Sequence, residues 1–555
     1  MKKEKLKVLM ELRPCFEGFA GIPQETRLVF HSLKALDNLD VTGLINHGVR
    51  QLKPGLSSNI FGRKPKAYKA YFRLSRLAIS VKVDPLEGML GKLCRYAEKH
   101  LEKHMLRTQA LMGGSVKLYD FDSLEFGDFT WQTLFAKTLP ASDYEMIRTA
   151  LYASIRPSAD LLNAIAIQRM QNLIKLPLPR IDTRGYDIFM SQTPWPARVA
   201  PKTQLVVRYH DAIPVFLPHT ISSAVLHQAT HMASLHVSRQ KAIFVCTSKA
   251  TQSDLLKIYP EVEKRSVVVP DTVSHQYFEE KATPRYVQSI IRSHVCPATE
   301  PKFLTSREKE RFYERHLESK PVRFLMMVST VEPRKNHSKL IAAWEYLRNH
   351  GMEDLKLVLV GELGWEYTSI IETIIPPQEK GQLFHLHKIP SGQLRILYRA
   401  AAAVICPSVA EGFDLSGIEA MLCGGAVVAS HIPVHREVYG NACEYFDPYA
   451  MMELVDALKK IVPPEFGARR EELVERGLRH ASKYRTENIR PIWNEFFERF
   501  RMGEFKKDNR ITLQIPHSLN SISPALNGKS MLNGNEAKSH LPLSQEAFPE
   551  EEKIA

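Results

Sequence analysis

Short apolar runs recur along this chain, and each gives way to a polar or glycine-bearing turn. In the first half they are Leu6–Leu12, Leu39–Asn46, Asp187–Gln192, Leu205–Tyr209, Lys241–Thr247 and Ser266–Pro270. In the second half they are Arg323–Ser329, Leu355–Val360, Leu383–Ile389, Ala400–Cys406 and Ala426–Ser430. Runs this short and continuous predict strands buried on both faces of a parallel sheet. Between them lie segments with helical spacing: Gln24–Leu36, Ser338–Arg348, Gln393–Ala401, Ser416–Cys423, Met451–Ile461 and Arg469–Tyr484. Ser248 is placed as the N-cap of a further helix. Strands alternating with helices predict doubly wound α/β domains.

The pattern lapses from about 276 to 320, where charged residues and prolines dominate. This divides the chain into an N-terminal α/β domain, 1–275, an interdomain linker with a polar helix, 276–320, and a C-terminal α/β domain, 321–484. Residues 50–180 are read as a helical elaboration of the first domain. The segment 485–503 carries Ile492, Trp493, Phe496, Phe497 and Phe500 on one face and reads as a helix crossing back onto the first domain. The tail, 504–555, is rich in Asn, Ser, Pro, Lys and Glu and reads as disordered.

Length and composition add bounds. A chain of 555 residues has room for two or three full cores. No apolar run approaches the ~18 residues of a membrane span, and the N-terminal run is broken by Glu11 and Arg13, unlike a signal peptide. The seven cysteines are scattered without a C-x-x-C pair, which suits reduced thiols in a cytoplasmic protein better than a disulfide framework or zinc site. A net charge of +14 points to an anionic partner. No nucleic-acid motif accompanies it. The basic stretch 53–107, with Tyr68, Tyr71, Phe72 and Tyr96 interleaved, reads first as a solvated helical face, and its mixed apolar and basic faces also suit an anionic leaflet. Asp120-Phe121-Asp122 has the form of a metal-binding D-x-D triplet but lacks its context, and reads as a surface turn.

The candidate chemistry centres on Pro407–Ser430. A strand runs through a glycine turn, Glu411-Gly412-Phe413-Asp414, into a helix stopped by Gly424-Gly425. Glu411 falls in the loop and Glu419 about one turn into the helix. The free N–H groups at Asp414 to Gly417 and the helix dipole make a ready phosphate site at the sheet's carboxyl edge. Two carboxylates beside it can accept hydrogen bonds from sugar hydroxyls. The expected ligand is a sugar joined to a phosphate. The glycine loop Phe16–Ile22 lacks the G-x-G-x-x-G fingerprint, which argues against NAD.

The context PS-x-x-EGF-x-L-x-x-x-EAM-x-CG resembles the family 4 glycosyltransferases, retaining enzymes with the GT-B fold. So do His210-Asp211-Ala-Ile-Pro214 after a strand, Glu332-Pro-Arg334-Lys335-Asn336 after the second domain's first strand, and Pro433-x-x-x-Glu437-x-x-Gly440-x-Ala442. The resemblance implies two Rossmann-like domains closing on a nucleotide sugar. It places His210 against the donor sugar, and Lys335 and Arg334 on the leaving diphosphate. Glu411 would position sugar hydroxyls and Glu419 would contact the ribose. Gly21, Gly361, Gly412, Phe413, Leu415 and Ser416 complete the implied donor site. An acid at Asp414 departs from many members, which have a small residue there, and is acceptable beside a diphosphate only if it points away or caps the helix.

The implied reaction moves a hexose, with retention, onto a polysaccharide or lipid-linked glycan such as lipopolysaccharide or capsule. No cofactor and no metal is expected, because cations and helix ends stabilise the leaving group. Likeness to bacterial mannosyltransferases implies GDP-mannose, while the residues leave a UDP- or dTDP-linked donor open. The alternative from another class is a non-catalytic nucleotide-sugar-binding or scaffold subunit of a glycan assembly complex.

Overall fold

The computed structural model describes residues 4–16, 18, 21–46, 89–121, 123–124, 126–155, 157–173, 175–506 and 513. Strands β1 (Leu6–Glu11), β2 (Leu39–Ile45), β3 (Tyr119–Phe121), β4 (Leu151–Ser154), β5 (Ile188–Ser191), β6 (Gln204–Tyr209), β7 (Ile243–Cys246) and β8 (Ser266–Val268) form the first sheet. Its order is β3-β4-β2-β1-β5-β6-β7-β8. All neighbours are parallel except β3, which runs antiparallel to β4. The second sheet contains β9 (Phe324–Val328), β10 (Lys356–Val360), β11 (Leu383–Leu386), β12 (Ala403–Cys406), β13 (Val427–Ser430) and β14 (Glu444–Phe446). Its order, β11-β10-β9-β12-β13-β14, is fully parallel. The reversal between β9 and β12 is the topological switch point of a doubly wound sheet, where loops part and leave a crevice.

The continuous apolar runs are explained by burial on both faces. Val8 and Met10 of β1 enter one core cluster while Leu9 enters another. In β9, Phe324 and Met326 point one way and Leu325 and Met327 the other. Each fully buried Val, Leu, Ile or Phe contributes about 1.5–3 kcal/mol, so two-sided strands concentrate stability in few residues.

Three parts of the chain differ from what the sequence leads one to expect. The elaboration of the first domain includes helices Met89–Leu111 and Ala159–Gln171, but also adds β3 and β4 to the sheet. Asp120 therefore lies in an edge strand and not in a turn, because Phe121 buries against the core and Tyr119 to Phe121 pair with β4. Asp122 and residues 47–88, with most of the basic stretch, lie outside the described residues. The segment 276–320 holds helices Pro284–Ser293 and Ser306–Tyr313. Val287, Ile290 and Ile291 of the first join the core, and Val295 bridges Leu386 of β11, so this segment is packed structure.

Helix Thr486–Arg501 returns to the first lobe. There Asn38 Nδ2 donates to Asn494 Oδ1 (2.9 Å) and to Glu498 Oε1 (2.8 Å). Beside it Val273 N donates to the Tyr484 carbonyl (2.9 Å), so the two chain crossings run together. Apart from residues 504–506 and 513, the tail lies outside the described residues. Among the described residues no helix is long and apolar enough to cross a membrane.

Candidate active site

The loops after β9 and β12 meet at the switch point. Asn336, at φ +63°, turns the chain into helix His337–Asn349, and its Nδ2 donates to the carbonyls of Pro407 (3.1 Å) and Pro448 (2.9 Å). This fixes Arg334 and Lys335 against Glu411. Lys335 Nζ donates to Glu411 Oε1 at 2.5 Å and Arg334 Nη1 to Glu411 Oε2 at 2.8 Å. Arg334 Nη2 also reaches Glu332 Oε1 at 2.7 Å. Burial opposes the charge on Glu411, but Arg334 and Lys335 prevail and hold its carboxyl below the usual carboxylate range. Two cations and two carboxylates therefore converge in a part-buried cluster.

Helix Leu415–Leu422 starts at this point, and Asp414, at φ +68°, is its N-cap. Asp414 Oδ1 accepts from Ser416 N (3.2 Å) and Ser416 Oγ (2.6 Å), and Oδ2 lies 3.2 Å from His435 Nε2. Burial disfavours its charge, yet the His435 hydrogen bond and the Lys335 charge hold its carboxyl well below the usual range. The unexpected acid is a helix cap turned toward His435. Gly417 is packed so closely against Tyr439 that a Cβ would meet its ring at 2.4 Å. Phe413 is buried edge-on against Tyr484, with ring centroids 5.2 Å apart, and Leu415 is buried in the same core.

Glu419 is buried inside this helix. Its Oε1 accepts from Gln24 Nε2 (2.7 Å) and its Oε2 from the Tyr398 hydroxyl (3.2 Å). Burial pushes its carboxyl up to about 7 despite the Gln24 and Tyr398 hydrogen bonds. Gln24 belongs to the first lobe, on helix Ile22–Lys34, whose N-cap is Gly21 at φ +67°. A Cβ on Gly21 would meet nothing within 4 Å, so glycine is favoured there by backbone conformation alone. The loop before it is tied down by buried Arg27, which donates to the carbonyls of Cys15 (2.8 Å), Gly18 (2.9 Å) and Leu134 (2.6 Å). Gly361 stands at the carboxyl edge of β10, pressed against the Ser329 carbonyl, and its own carbonyl lies 3.0 Å from His385 Nε2.

The first lobe meets this edge through His210-Asp211. A Cβ on Gly412 would lie 2.0 Å from the His210 carbonyl oxygen. The Gly412 carbonyl accepts from Thr247 Oγ1 (3.1 Å), Ser248 Oγ (2.9 Å) and Thr251 Oγ1 (3.0 Å). Glu437 of the second lobe caps helix Lys249–Ile258 of the first, accepting from Lys249 N (2.7 Å) and Ala250 N (3.0 Å). His210 is buried and its Nε2 has no partner. Burial and the charge of Arg208 hold the ring well below the ordinary histidine value, so it is neutral. Asp211 is pushed up by burial, against the pull of Arg334.

Next to His210 lies a buried ionic cluster that local spacing does not reveal. Arg208 Nη2 contacts Glu25 Oε1 (2.7 Å) and Asp271 Oδ1 (2.6 Å), and its guanidinium lies over the Trp493 ring at 5.3 Å. Glu25, His210 and Asp271 bring ligand-type atoms within 4.8 Å of one another. The guanidinium already bridges both carboxylates, so a metal ion would bring a second cation to the same pair. The arrangement fits arginine and not a metal.

The structure thus brings His210, Arg334, Lys335, Glu411, Gly412, Ser416 and Glu419 together where the two lobes meet, while Phe413 and Leu415 turn into the core beneath them. Glu332 joins this group through its near neighbour Arg334, and Gln24, His435 and Glu437 through contacts with residues distant in the chain. The arrangement can neutralise a diphosphate with Arg334 and Lys335, and can accept sugar hydroxyls at Glu411.

The two doubly wound sheets have the GT-B fold, and residues 308–480 match the family of glycosyl transferases group 1. Part of the chain is similar to bacterial mannosyltransferases. It is 32% identical over 167 residues to the O-antigen chain mannosyltransferase B of Escherichia coli, covering 30% of this chain and 43% of that protein. It is 36% identical over 136 residues to a serotype-specific mannosyltransferase WbdA of Escherichia coli, covering 24% of this chain and 17% of that protein. The chain thus spans less than half the length of these relatives. Sucrose-phosphate synthase from Thermosynechococcus elongatus shares the fold, with a TM-score of 0.52, 14% identity, and coverage of 90% of this chain and 100% of that one.

Proposed function

We propose that the protein transfers a hexose, mannose in the first instance, from a nucleoside diphosphate sugar to a polysaccharide or lipid-linked glycan, with retention of configuration. The observation that carries this reading is the convergence of Arg334 and Lys335 on Glu411 just before helix Leu415–Leu422, where Gly412 packs against the His210 backbone. In this reading Arg334 and Lys335 stabilise the negative charge that develops on the diphosphate as its bond to C1 breaks. The acceptor oxygen attacks C1 from the same face, and its proton passes to a phosphate oxygen of the departing group. Glu411 positions sugar hydroxyls and neutral His210 offers its unpartnered Nε2 to the donor sugar. Glu419 receives the ribose hydroxyls. In this reading the main-chain N–H groups of Gly412 to Leu415 and Gly21 receive the phosphates, with Gly361 at the neighbouring edge.

No metal is needed in this scheme, since two cations and a helix terminus supply the positive charge. In this reading the setting is cytoplasmic, and the basic stretch 53–107 contacts an anionic leaflet.

The test is a thermal-shift panel of GDP, UDP, dTDP and ADP, with and without EDTA, repeated on Lys335→Ala. A ligand at about 100 times its dissociation constant stabilises by about 2.7 kcal/mol. One nucleotide is expected to shift the wild type equally with and without EDTA, and to leave the variant unmoved. No shift from any nucleotide would sink the reading in favour of a scaffold subunit, and a shift abolished by EDTA would sink its metal-free form.

A further inference from the structure

Trp365 stands apart from the other four of the five tryptophans. Trp131, Trp195, Trp344 and Trp493 are at most 7% exposed, whereas Trp365 is 42% exposed. The loop after β10 is built to present it. Gly364, just before it, packs against the second lobe: a Cβ there would lie 3.1 Å from Glu332 Oε2 and 3.1 Å from the Val331 carbonyl oxygen. Glu366, just after it, is held at φ +49°. A left-handed conformation is unfavourable for a non-glycine residue and persists where the surroundings impose it, often at functional sites. Tyr367, also exposed, then leads into helix Thr368–Glu379.

The opposite bank belongs to the first lobe. The His227 ring, on helix Ala224–Ser238, lies 5.1 Å from the Trp365 ring at a tilt of 34°. Val225 and Leu226 beside it are exposed. Both banks adjoin the cleft. Glu332, against which Gly364 packs, is the partner of Arg334. Helix Ala224–Ser238 follows His210-Asp211 in the chain after residues 212–223, whose first turn, Ile213–Phe216, packs on it.

We propose that Trp365, with Tyr367 and His227, forms a glycan-binding subsite at the mouth of the cleft, on which the sugar chain of the acceptor stacks. A hexose carries a face of C–H bonds that packs on an aromatic ring, while its hydroxyls reach polar groups at the ring's edge. Those polar groups are present: Glu362 and Glu366 lie on the same loop, and the Glu362 carboxylate is 4.0 Å from His387 Nδ1. A rim that mixes rings with acids and histidines suits a hydroxyl-bearing ligand. A lipid chain calls for continuous apolar surface. The placement of the subsite rests on the glycosyltransferase reading of the cleft, but binding at Trp365 can be measured without transfer.

The remaining tryptophans are buried, so a ligand on Trp365 reports itself in the emission of the full chain. The probes are linear oligosaccharides of mannose, glucose, N-acetylglucosamine and rhamnose, of increasing length. One series is expected to shift tryptophan emission to shorter wavelength in a saturable way, with affinity rising with length. Trp365→Phe is expected to abolish the emission change and weaken binding by about tenfold, measured calorimetrically. Trp365→Tyr should recover part of that affinity. Both variants should keep the nucleotide-induced thermal shift, which also shows that they fold. An unchanged oligosaccharide affinity in Trp365→Phe overturns the proposal. So does the absence of any emission change with all four series, or a change produced by polyprenyl phosphate in detergent but by no oligosaccharide. Failure of the nucleotides with intact oligosaccharide binding would sink the donor-site reading and leave the subsite standing.

Discussion

Glu419→Gln tests how the cleft treats charge. An ordinary glutamate titrates at 4.5, while burial holds Glu419 at about 7 in the folded protein, against the hydrogen bonds of Gln24 and Tyr398. Between these values the folded chain keeps a proton that the unfolded chain has released. The unfolding free energy therefore falls as pH rises through this window. Below it both states are protonated and there is no penalty. Above it both are ionised and the penalty is complete, about 3 kcal/mol at about 1.4 kcal/mol per pH unit. Glutamine removes the titration and keeps an oxygen that can accept from Gln24. Urea unfolding of both proteins at several pH values between about 5 and 8 is the assay. The variant is expected to gain on the wild type steadily with pH, by up to about 3 kcal/mol at the alkaline end. A stability difference that stays flat across the window would refute the reasoning, because Glu419 would then be ionised throughout. If Glu419 receives the ribose, the same variant binds nucleoside diphosphates about tenfold more weakly, since an amide accepts on one oxygen only.

Two further substitutions probe the same cleft. Gly412→Ala forces a Cβ to within 2.0 Å of the His210 backbone carbonyl, which cannot rotate away; the expected result is a loss of about 1–3 kcal/mol and a larger radius of gyration by small-angle scattering. Arg334→Ala leaves Glu411 and Glu332 buried without that partner, and should cost about 3 kcal/mol in urea unfolding. Arg334→Lys should fall between, because one ammonium replaces a guanidinium that reaches two carboxylates.

Much of the second lobe could be read directly from the chain. Strands such as Ala403–Cys406 and Val427–Ser430 are buried on both faces, so they appear as unbroken apolar runs. The loops that follow them carry the chemistry, and Glu411, Lys335 and Arg334 are conspicuous there. The first lobe was less legible. Strands β3 and β4 are short and lie toward one edge, where polar residues such as Asp120 are tolerated and the pattern is weak. In 276–320 the two helices bury only one face, so their charged outer faces dominated the composition. The least legible features were contacts between distant residues. Gln24 with Glu419, and Arg208 with Glu25 and Asp271, leave no trace in local spacing because tertiary folding alone unites them. Asp414 looked out of place until His435 supplied its partner.

The cap that Glu437 places on helix Lys249–Ile258 has an evolutionary consequence. A helix of one lobe has first-turn N–H groups satisfied by a carboxylate encoded nearly two hundred positions later. The Gly412 carbonyl, gripped by three hydroxyls of the other lobe, repeats the pattern in reverse. Each half thus supplies hydrogen-bonding partners for the other. Acceptor preference and donor preference, if they reside on different halves, are not freely exchangeable by recombination. A viable chimaera must inherit both the hydroxyl cluster and its glycine, and both the helix and its distant glutamate, as matched pairs.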